Sequence, residues 1–182
     1  NDHGTNTIKI NVPNANAYSE FFVAGETKII TVNGKEYTIT NTASNDNKNL
    51  VYSIKGDTIE FQGTYFKITG NSEQSHNVKL LSQRMTFTGG NLNDTIIVAN
   101  TARYAAVYGG SGDDYIENNA ADVYMWGQDG NDKIINNGAN SCLIFGGNGD
   151  DTVEITKGTG HYLDAGDGND NVTVLGLSLI HI

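Results

Sequence analysis

Apolar and polar residues alternate along this chain in short runs, and clusters of Gly, Asn and Asp separate one run from the next. A period of two belongs to β-strands with one buried face, and the clusters are turn formers. No stretch sustains the i, i+3, i+4 apolar spacing of an amphipathic helix. The strongest local signal is Asn33-Gly34, flanked by Lys28-Ile-Ile-Thr-Val32 and Glu36-Tyr-Thr-Ile-Thr40. Asn and Gly both tolerate positive φ, so this segment predicts a two-residue hairpin.

Downstream the alternation becomes a repeat. Five nonapeptides align, covering 89–97, 109–117, 127–135, 146–154 and 165–173. Position six is Asp in each (Asp94, Asp114, Asp132, Asp151, Asp170), and position eight is Ile or Val (Ile96, Ile116, Ile134, Val153, Val172). Successive Asp residues lie 20, 18, 19 and 19 residues apart, which sets each motif about one solenoid coil after the last. The intervening turns, such as 118–122 and 136–140, lack the Gly-x-Asp pattern. All the acidic loops are therefore expected on one side.

Counting back from each loop assigns Ala105/Val107, Val123/Met125, Cys142/Ile144 and His161/Leu163 to the inward phase. The other phase sends Tyr108, Trp126 and Phe145 outward, followed by Asp164 in the same register. These aromatics are expected to stack as a ladder, whose first reading is structural and whose second is a ligand or partner platform. Upstream, Met85/Phe87, Phe66/Ile68 and Tyr52/Ile54 precede Gly89, Gly70 and Gly56 in the same way. Gly70 lies 19 residues before Gly89, so the solenoid is expected to extend back without acidic loops.

Charge sharpens this division. Of the 21 acidic residues thirteen fall in 89–176, with three of the 11 basic ones, whereas 1–88 hold eight of each. The net charge of −10 thus belongs to the repeats, and an acidic field of that size opposes nucleic acid and anionic membranes. Regularly spaced Ile, Val, Leu, Tyr and Trp in the same stretch argue against a disordered acidic tail. No apolar run is long enough to span a bilayer. The single Cys142 leaves no internal disulfide and reads as a small core residue.

The pattern Gly-Gly-x-Gly-x-Asp-x-(Ile/Val)-x resembles the haemolysin-type, or RTX, calcium-binding repeat. The resemblance covers about half the chain and implies an all-β fold. That fold is a parallel β-roll or β-solenoid with a single row of calcium loops, preceded by a metal-free β-rich capping segment. Calcium takes about six to eight oxygens from carboxylates and carbonyls, and glycine lets a loop bend so that successive carbonyls face one point. In that family each ion lies between stacked loops. The upper loop gives the carbonyls of positions two and four and its Asp; the lower gives those of positions one and three and its Asp.

Carried over, the first ion falls among Gly90, Leu92, Asp94, Gly109, Ser111 and Asp114. The second takes Gly110, Gly112, Asp114, Gly127, Asp129 and Asp132. The third takes Gln128, Gly130, Asp132, Gly146, Asn148 and Asp151, and the fourth Gly147, Gly149, Asp151, Ala165, Asp167 and Asp170. About three to four calcium ions are implied. Leu92 departs from the family's fourth-position Gly and puts the first site in most doubt. Gln128 and Ala165 also replace Gly, but there the ligand is a backbone carbonyl. Gly166, Gly168 and Asp170 make half of a further site.

The expected organisation is a linker over 1–16, a capping segment with degenerate coils over 17–88, and the repeat solenoid over 89–176. The last six residues, 177–182, read as a non-native read-through tail, so the chain is expected to be a piece of a longer one. The resemblance implies a secreted, extracellular or cell-surface bacterial protein of the type I secretion kind, unfolded at low calcium and folded outside the cell. The module would stabilise or space the larger polypeptide. The alternative is an adhesion module that contacts a glycan or host surface through the aromatic ladder or the capping segment. A non-catalytic appendage of a secreted polysaccharide- or protein-degrading enzyme ranks below both. No catalytic residue is assigned: His3, His76, His161 and His181 are scattered, and Ser141-Cys142 lacks a local base. An EF-hand is excluded because no Asp-x-Asp-x-Asp-Gly run with a Glu at position twelve occurs.

Overall fold

The computed structural model describes residues 17–175, with the backbone of 6–8 and 180–181. Every regular element among them is a strand. The first part holds β1 (Asn6–Ile8), β2 (Tyr18–Phe22), β3 (Thr27–Val32), β4 (Lys35–Asn41), β5 (Lys48–Lys55) and β6 (Thr58–Gln62). Next come β7 (Phe66–Gly70), β8 (Asn77–Leu80), β9 (Thr86–Thr88), β10 (Thr95–Val98), β11 (Ala106–Ser111) and β12 (Tyr115–Asn118). The last are β13 (Tyr124–Asp129), β14 (Lys133–Asn136), β15 (Leu143–Asn148), β16 (Thr152–Ile155), β17 (His161–Asp167), β18 (Asn171–Val174) and β19 (Ile180–His181).

Two sheets face each other. One runs β7-β9-β11-β13-β15-β17 and the other β6-β8-β10-β12-β14-β16-β18, all neighbours parallel. The chain visits them alternately, which makes a parallel β-solenoid of about six coils. Antiparallel pairs precede it: β2 with β5, β3 with β4, β4 with β7 and β5 with β6. The first coil is thus joined to a capping segment of hairpins, which supplies the end a solenoid needs. In the expected hairpin, Asn33 and Gly34 take φ of 49° and 74° between the paired residues Val32 and Lys35. β1 lies parallel to β3, and Ile180–His181 pair with His161–Tyr162. The other residues of 1–16 and 177–182, read above as linker and tail, lie outside the described residues.

The inward phase is as the alternation predicts in every coil but the last described one, where Val172 is 37% exposed because no later coil covers it among the described residues. Ile96, Ile116, Ile134 and Val153 form one in-register column, opposed by Phe87, Val107, Met125, Ile144 and Leu163, and all are fully buried. Removal of such side chains from water is the main apolar term holding the coils together. Cys142 and His161 are inward as well.

The turns opposite the acidic loops carry their own polar column. Asn118 Nδ2 donates to Asn136 Oδ1 at 2.8 Å and to the Ala120 carbonyl at 2.8 Å. Asn118 Oδ1 accepts from the Ala120 N–H, and Asn136 Oδ1 from the Gly138 N–H. His161 Nδ1 accepts from the Cys142 N–H at 3.2 Å. Buried amides cost little when satisfied in this way.

A further column repeats just before the second strand of each coil. Tyr65, Arg84, Tyr104, Asp122 and Ser141 sit at φ of 66°, 58°, 59°, 60° and 53°, followed by Gly160 at 69°. The left-handed region costs an L-residue roughly 1–2 kcal/mol, partly offset by the backbone entropy that glycine loses on folding. Ser141→Gly is therefore expected to raise stability by about 0.5–1 kcal/mol, read as a higher denaturant midpoint with unchanged m. A lower midpoint would mean that the column's geometry is not what limits it.

Candidate functional site

β11, β13, β15 and β17 run on into the acidic loops, so loop positions two and three stay in the sheet ladder. Gly110, Gln128, Gly147 and Gly166 lie in register, as do Ser111, Asp129, Asn148 and Asp167. Positions two and four bend through positive φ: Gly110 at 117°, Gly147 at 127°, Gly112 at 104°, Gly130 at 133° and Gly149 at 124°. Gln128 holds the same bend at 87°, against the preference of a side-chain-bearing residue.

The bends aim the carbonyls. A Cβ added at Gly130 would collide with the Gly112 carbonyl oxygen, one at Gly147 with that of Gln128, and one at Gly149 with that of Gly130. Carbonyls two and four therefore face the following loop. A Cβ at Gly109 would lie 2.6 Å from the Gly127 carbonyl oxygen, and one at Gly127 2.6 Å from that of Gly146, so carbonyl one faces back. Carbonyl three faces back too: Asp129 accepts from the Gly112 N–H at 2.9 Å, Asn148 from Gly130 at 2.9 Å and Asp167 from Gly149 at 2.8 Å. The second, third and fourth inter-loop spaces thus receive carbonyls two and four from one side and carbonyls one and three from the other.

The position-six carboxylates close these spaces. Asp94, Asp114, Asp132 and Asp151 are at most 2% exposed. Oδ1 of Asp114, Asp132, Asp151 and Asp170 accepts the N–H of the position-six Asp one coil earlier: Asp94 N–H to Asp114 at 2.7 Å, Asp114 to Asp132 at 2.8 Å, Asp132 to Asp151 at 2.7 Å and Asp151 to Asp170 at 2.9 Å. Oδ2 of Asp114, Asp132 and Asp151 is buried with no hydrogen-bond partner. The same Oδ2 atoms would collide with a Cβ at Gly109, Gly127 and Gly146, where the next loop's position-one carbonyl also arrives. Two acceptors converge there without a donor. Burial, followed by neighbouring Asp charges, pushes the Asp114 carboxyl up to about 7 and that of Asp132 up to about 6. Asp94 and Asp151 move the same way, burial again leading.

The two ends differ from the middle. In loop 89–94 the ladder stops at Thr88, Leu92 is exposed and lacks the positive φ of its counterparts, and Asp94 Oδ2 accepts from the Gly90 N–H at 3.1 Å. The first space is therefore built differently, although Gly90 still accepts from the Ser111 N–H at 2.9 Å. At the other end, Ala165 stands where Gly146 would collide with a following carbonyl. No loop stacks below Ala165 among the described residues, so its methyl meets no such oxygen.

Some participants escaped the sequence reading. Position five forms a second ladder: Asn93 Oδ1 accepts from Asp113 N–H, Asp113 from Asn131, Asn131 from Asp150 and Asp150 from Asn169, at 2.8–3.0 Å. Its signal was present, since position five is always Asn or Asp. His76 heads the Asp column, its N–H donating to Asp94 Oδ1 at 2.6 Å; its spacing of 18 residues from Asp94 was the clue. The aromatic ladder is present as expected. Trp126 lies between Tyr108 (centroids 4.5 Å apart, planes 5°) and Phe145 (5.5 Å, 4°). Its faces are covered by its neighbours.

What fold and loops define is an all-β parallel solenoid with one edge of convergent carbonyls and underbonded carboxylates. No protein-family model matches the chain, nor does any curated protein or solved structure. Among the described residues no three His, Cys, Asp or Glu side chains group as a metal cluster; the oxygens that converge between the loops are mostly main-chain carbonyls.

The raised carboxyls have a signed consequence for the metal-free chain. Their folded-state affinity for protons exceeds the unfolded one, so stability is greatest below about pH 4 and falls as pH rises toward 6–7. Denaturant midpoints in chelator are expected to fall across that interval, and Asp114→Asn to flatten the profile. A midpoint that rises over the interval would contradict the burial of these carboxylates.

Proposed function

We propose that this chain is a calcium-binding module of the RTX kind, folded by its ions, in a larger secreted protein that it stabilises or spaces outside the cell. The observation that carries the reading is the buried Oδ2 of Asp114, Asp132 and Asp151, each without a donor and each beside a carbonyl from the next loop. A cation or a proton relieves that arrangement, and near pH 7 a hard cation suits an all-oxygen set of carboxylates and carbonyls. The three orphan oxygens belong to the second, third and fourth ligand sets given above; the first set has the altered loop with Leu92. Three ions, with a weaker fourth, fit best.

The chain's own residues would divide the work. Positive-φ positions two and four aim carbonyls, the Asp column supplies charge, and the Ile/Val column ties each loop to the core. Asp114, Asp132 and Asp151 each border two spaces, so binding in one space orders a ligand of the next and the row fills cooperatively. Because the unfolded chain has no such spaces, binding energy enters as folding energy. In a calcium-poor cytosol the acidic edge would repel itself and keep the chain open for export.

Titration with calcium, followed by circular dichroism and isothermal calorimetry, is expected to give a cooperative gain of β-structure that a chelator reverses and magnesium does not reproduce. Asp132→Asn, which touches two spaces, is expected to raise the calcium midpoint at least tenfold (about 1.4 kcal/mol); Asp94→Asn should shift it less. Spectra indifferent to calcium and chelator would remove the reading.

A further inference from the structure

The turns opposite the acidic loops carry a stack of another kind. Tyr65, Arg84 and Tyr104 hold the same place in three successive turns, between β6 and β7, β8 and β9, and β10 and β11. The Arg84 guanidinium lies over the Tyr65 ring at 5.6 Å and over the Tyr104 ring at 5.0 Å. Lys48 also lies over Tyr65, at 5.8 Å, and Arg103 over Tyr104, at 5.3 Å. The outer two cations are spent, Lys48 on Asp46 and Arg103 on Asp122. Arg84 is exposed and has no carboxylate partner among the described residues. Tyr65 and Tyr104 are themselves 40% and 41% exposed. Stacking holds the plane of a guanidinium and leaves its N–H edge open to a planar acid. Exposed Tyr beside a fixed Arg is the composition that anchors contacts between proteins.

The acid that Arg84 lacks is carried by the chain's other edge. The five acidic loops hold no Lys or Arg, and Asp113, Asp129, Asp150 and Asp167 are exposed there. Both rows sit on turns of the same parallel strands, so both repeat at about 4.7–4.9 Å per coil. Two copies laid side by side with parallel axes therefore bring cations and carboxylates together at one spacing. Like edge on like would set Arg84 against Arg84, or Asp against Asp. We infer that the Tyr65–Arg84–Tyr104 edge docks a second copy of this chain, through the exposed carboxylates of that copy's acidic loops. The contact is heterologous and leaves one free edge of each kind, so it extends as an open row instead of closing as a dimer. The net charge of −10 opposes approach, but at about 0.15 M salt that repulsion is screened beyond about 8 Å. The result is a weak association, with a Kd of about 100 µM. It uses exposed acids and not the buried Asp column, and so stands apart from the calcium reading.

Sedimentation velocity on the full chain at saturating calcium tests it, over about 10–500 µM protein, with circular dichroism confirming the fold of each variant. The average sedimentation coefficient is expected to climb with concentration and show no plateau at a dimer. Arg84→Glu should stay monomeric, and Arg84→Lys, which keeps the charge and loses the planar fork, should weaken association at least threefold. The Arg84→Glu chain keeps its acidic edge, whereas a chain with Asp129→Lys and Asp167→Lys keeps its Arg84. Each alone should be monomeric, and an equimolar mixture should form one-to-one pairs and nothing larger. If the double variant does not fold, Arg84→Glu against the unaltered chain decides. If the fold proves indifferent to calcium, the same series without calcium answers the same question. An unaltered chain that stays monomeric, a closed dimer, association within twofold in Arg84→Glu, or a mixture that forms no pairs would each overturn the inference; the first would leave the edge to a soluble anion.

Discussion

The structure depends on a carboxylate placed where its charge is hardest to accommodate. Asp94, Asp114, Asp132 and Asp151 are each buried at the edge of a coil, with Oδ1 spent on an N–H of the coil before. That bond locks the register of one loop on the next, which a flat parallel sheet alone leaves weakly specified. In Asp114, Asp132 and Asp151 it also fixes Oδ2 against a carbonyl with nothing to donate between them. Register and electrostatic frustration therefore come from the same side chain, and stability at that edge becomes conditional on what neutralises it.

Glycine serves that constraint differently at different positions. At positions two and four it supplies the bend and lets the preceding carbonyl approach. At position one, where φ is ordinary, it only makes room for the carboxylate and the following carbonyl. Gln128 and Ala165 show the distinction. Gln128 keeps the bend at a conformational cost, whereas at Ala165 no carbonyl arrives from a following loop among the described residues.

Much of this was legible in the chain because period-two alternation and a fixed coil length both follow from local geometry. Ile116 and Ile134 inward, Tyr108 and Trp126 outward, the Asn33-Gly34 turn and the backward extension through Phe66/Ile68 all needed only counting. The directions of the loop carbonyls did not follow from counting, since a carbonyl has no residue type to mark it. Nor did the left-handed column at Tyr65, Arg84, Tyr104, Asp122 and Ser141, whose residues share a backbone angle and no chemistry. The packing of Tyr37 against His76 was invisible for another reason: Tyr37 comes from an antiparallel hairpin and His76 from a coil, and only the tertiary fold brings them together.

The two edges of each coil solve one problem in opposite ways. Both bury polar groups in columns along the solenoid. On the edge away from the acidic loops the column is Asn118, Asn136 and His161, whose bonds to one another and to Ala120, Gly138 and Cys142 use donors and acceptors in balance. That edge needs no ion. On the acidic edge the column is Asp, which brings acceptors in excess, and the imbalance grows with each coil added. A solenoid with metal loops on both sides would be conditional throughout. This one carries a self-satisfied edge beside one with acceptors in excess, and the apolar columns run between the two. His76 then marks where the acidic edge begins: it continues the Asp column by its N–H alone and places an imidazole where the next carboxylate would stand.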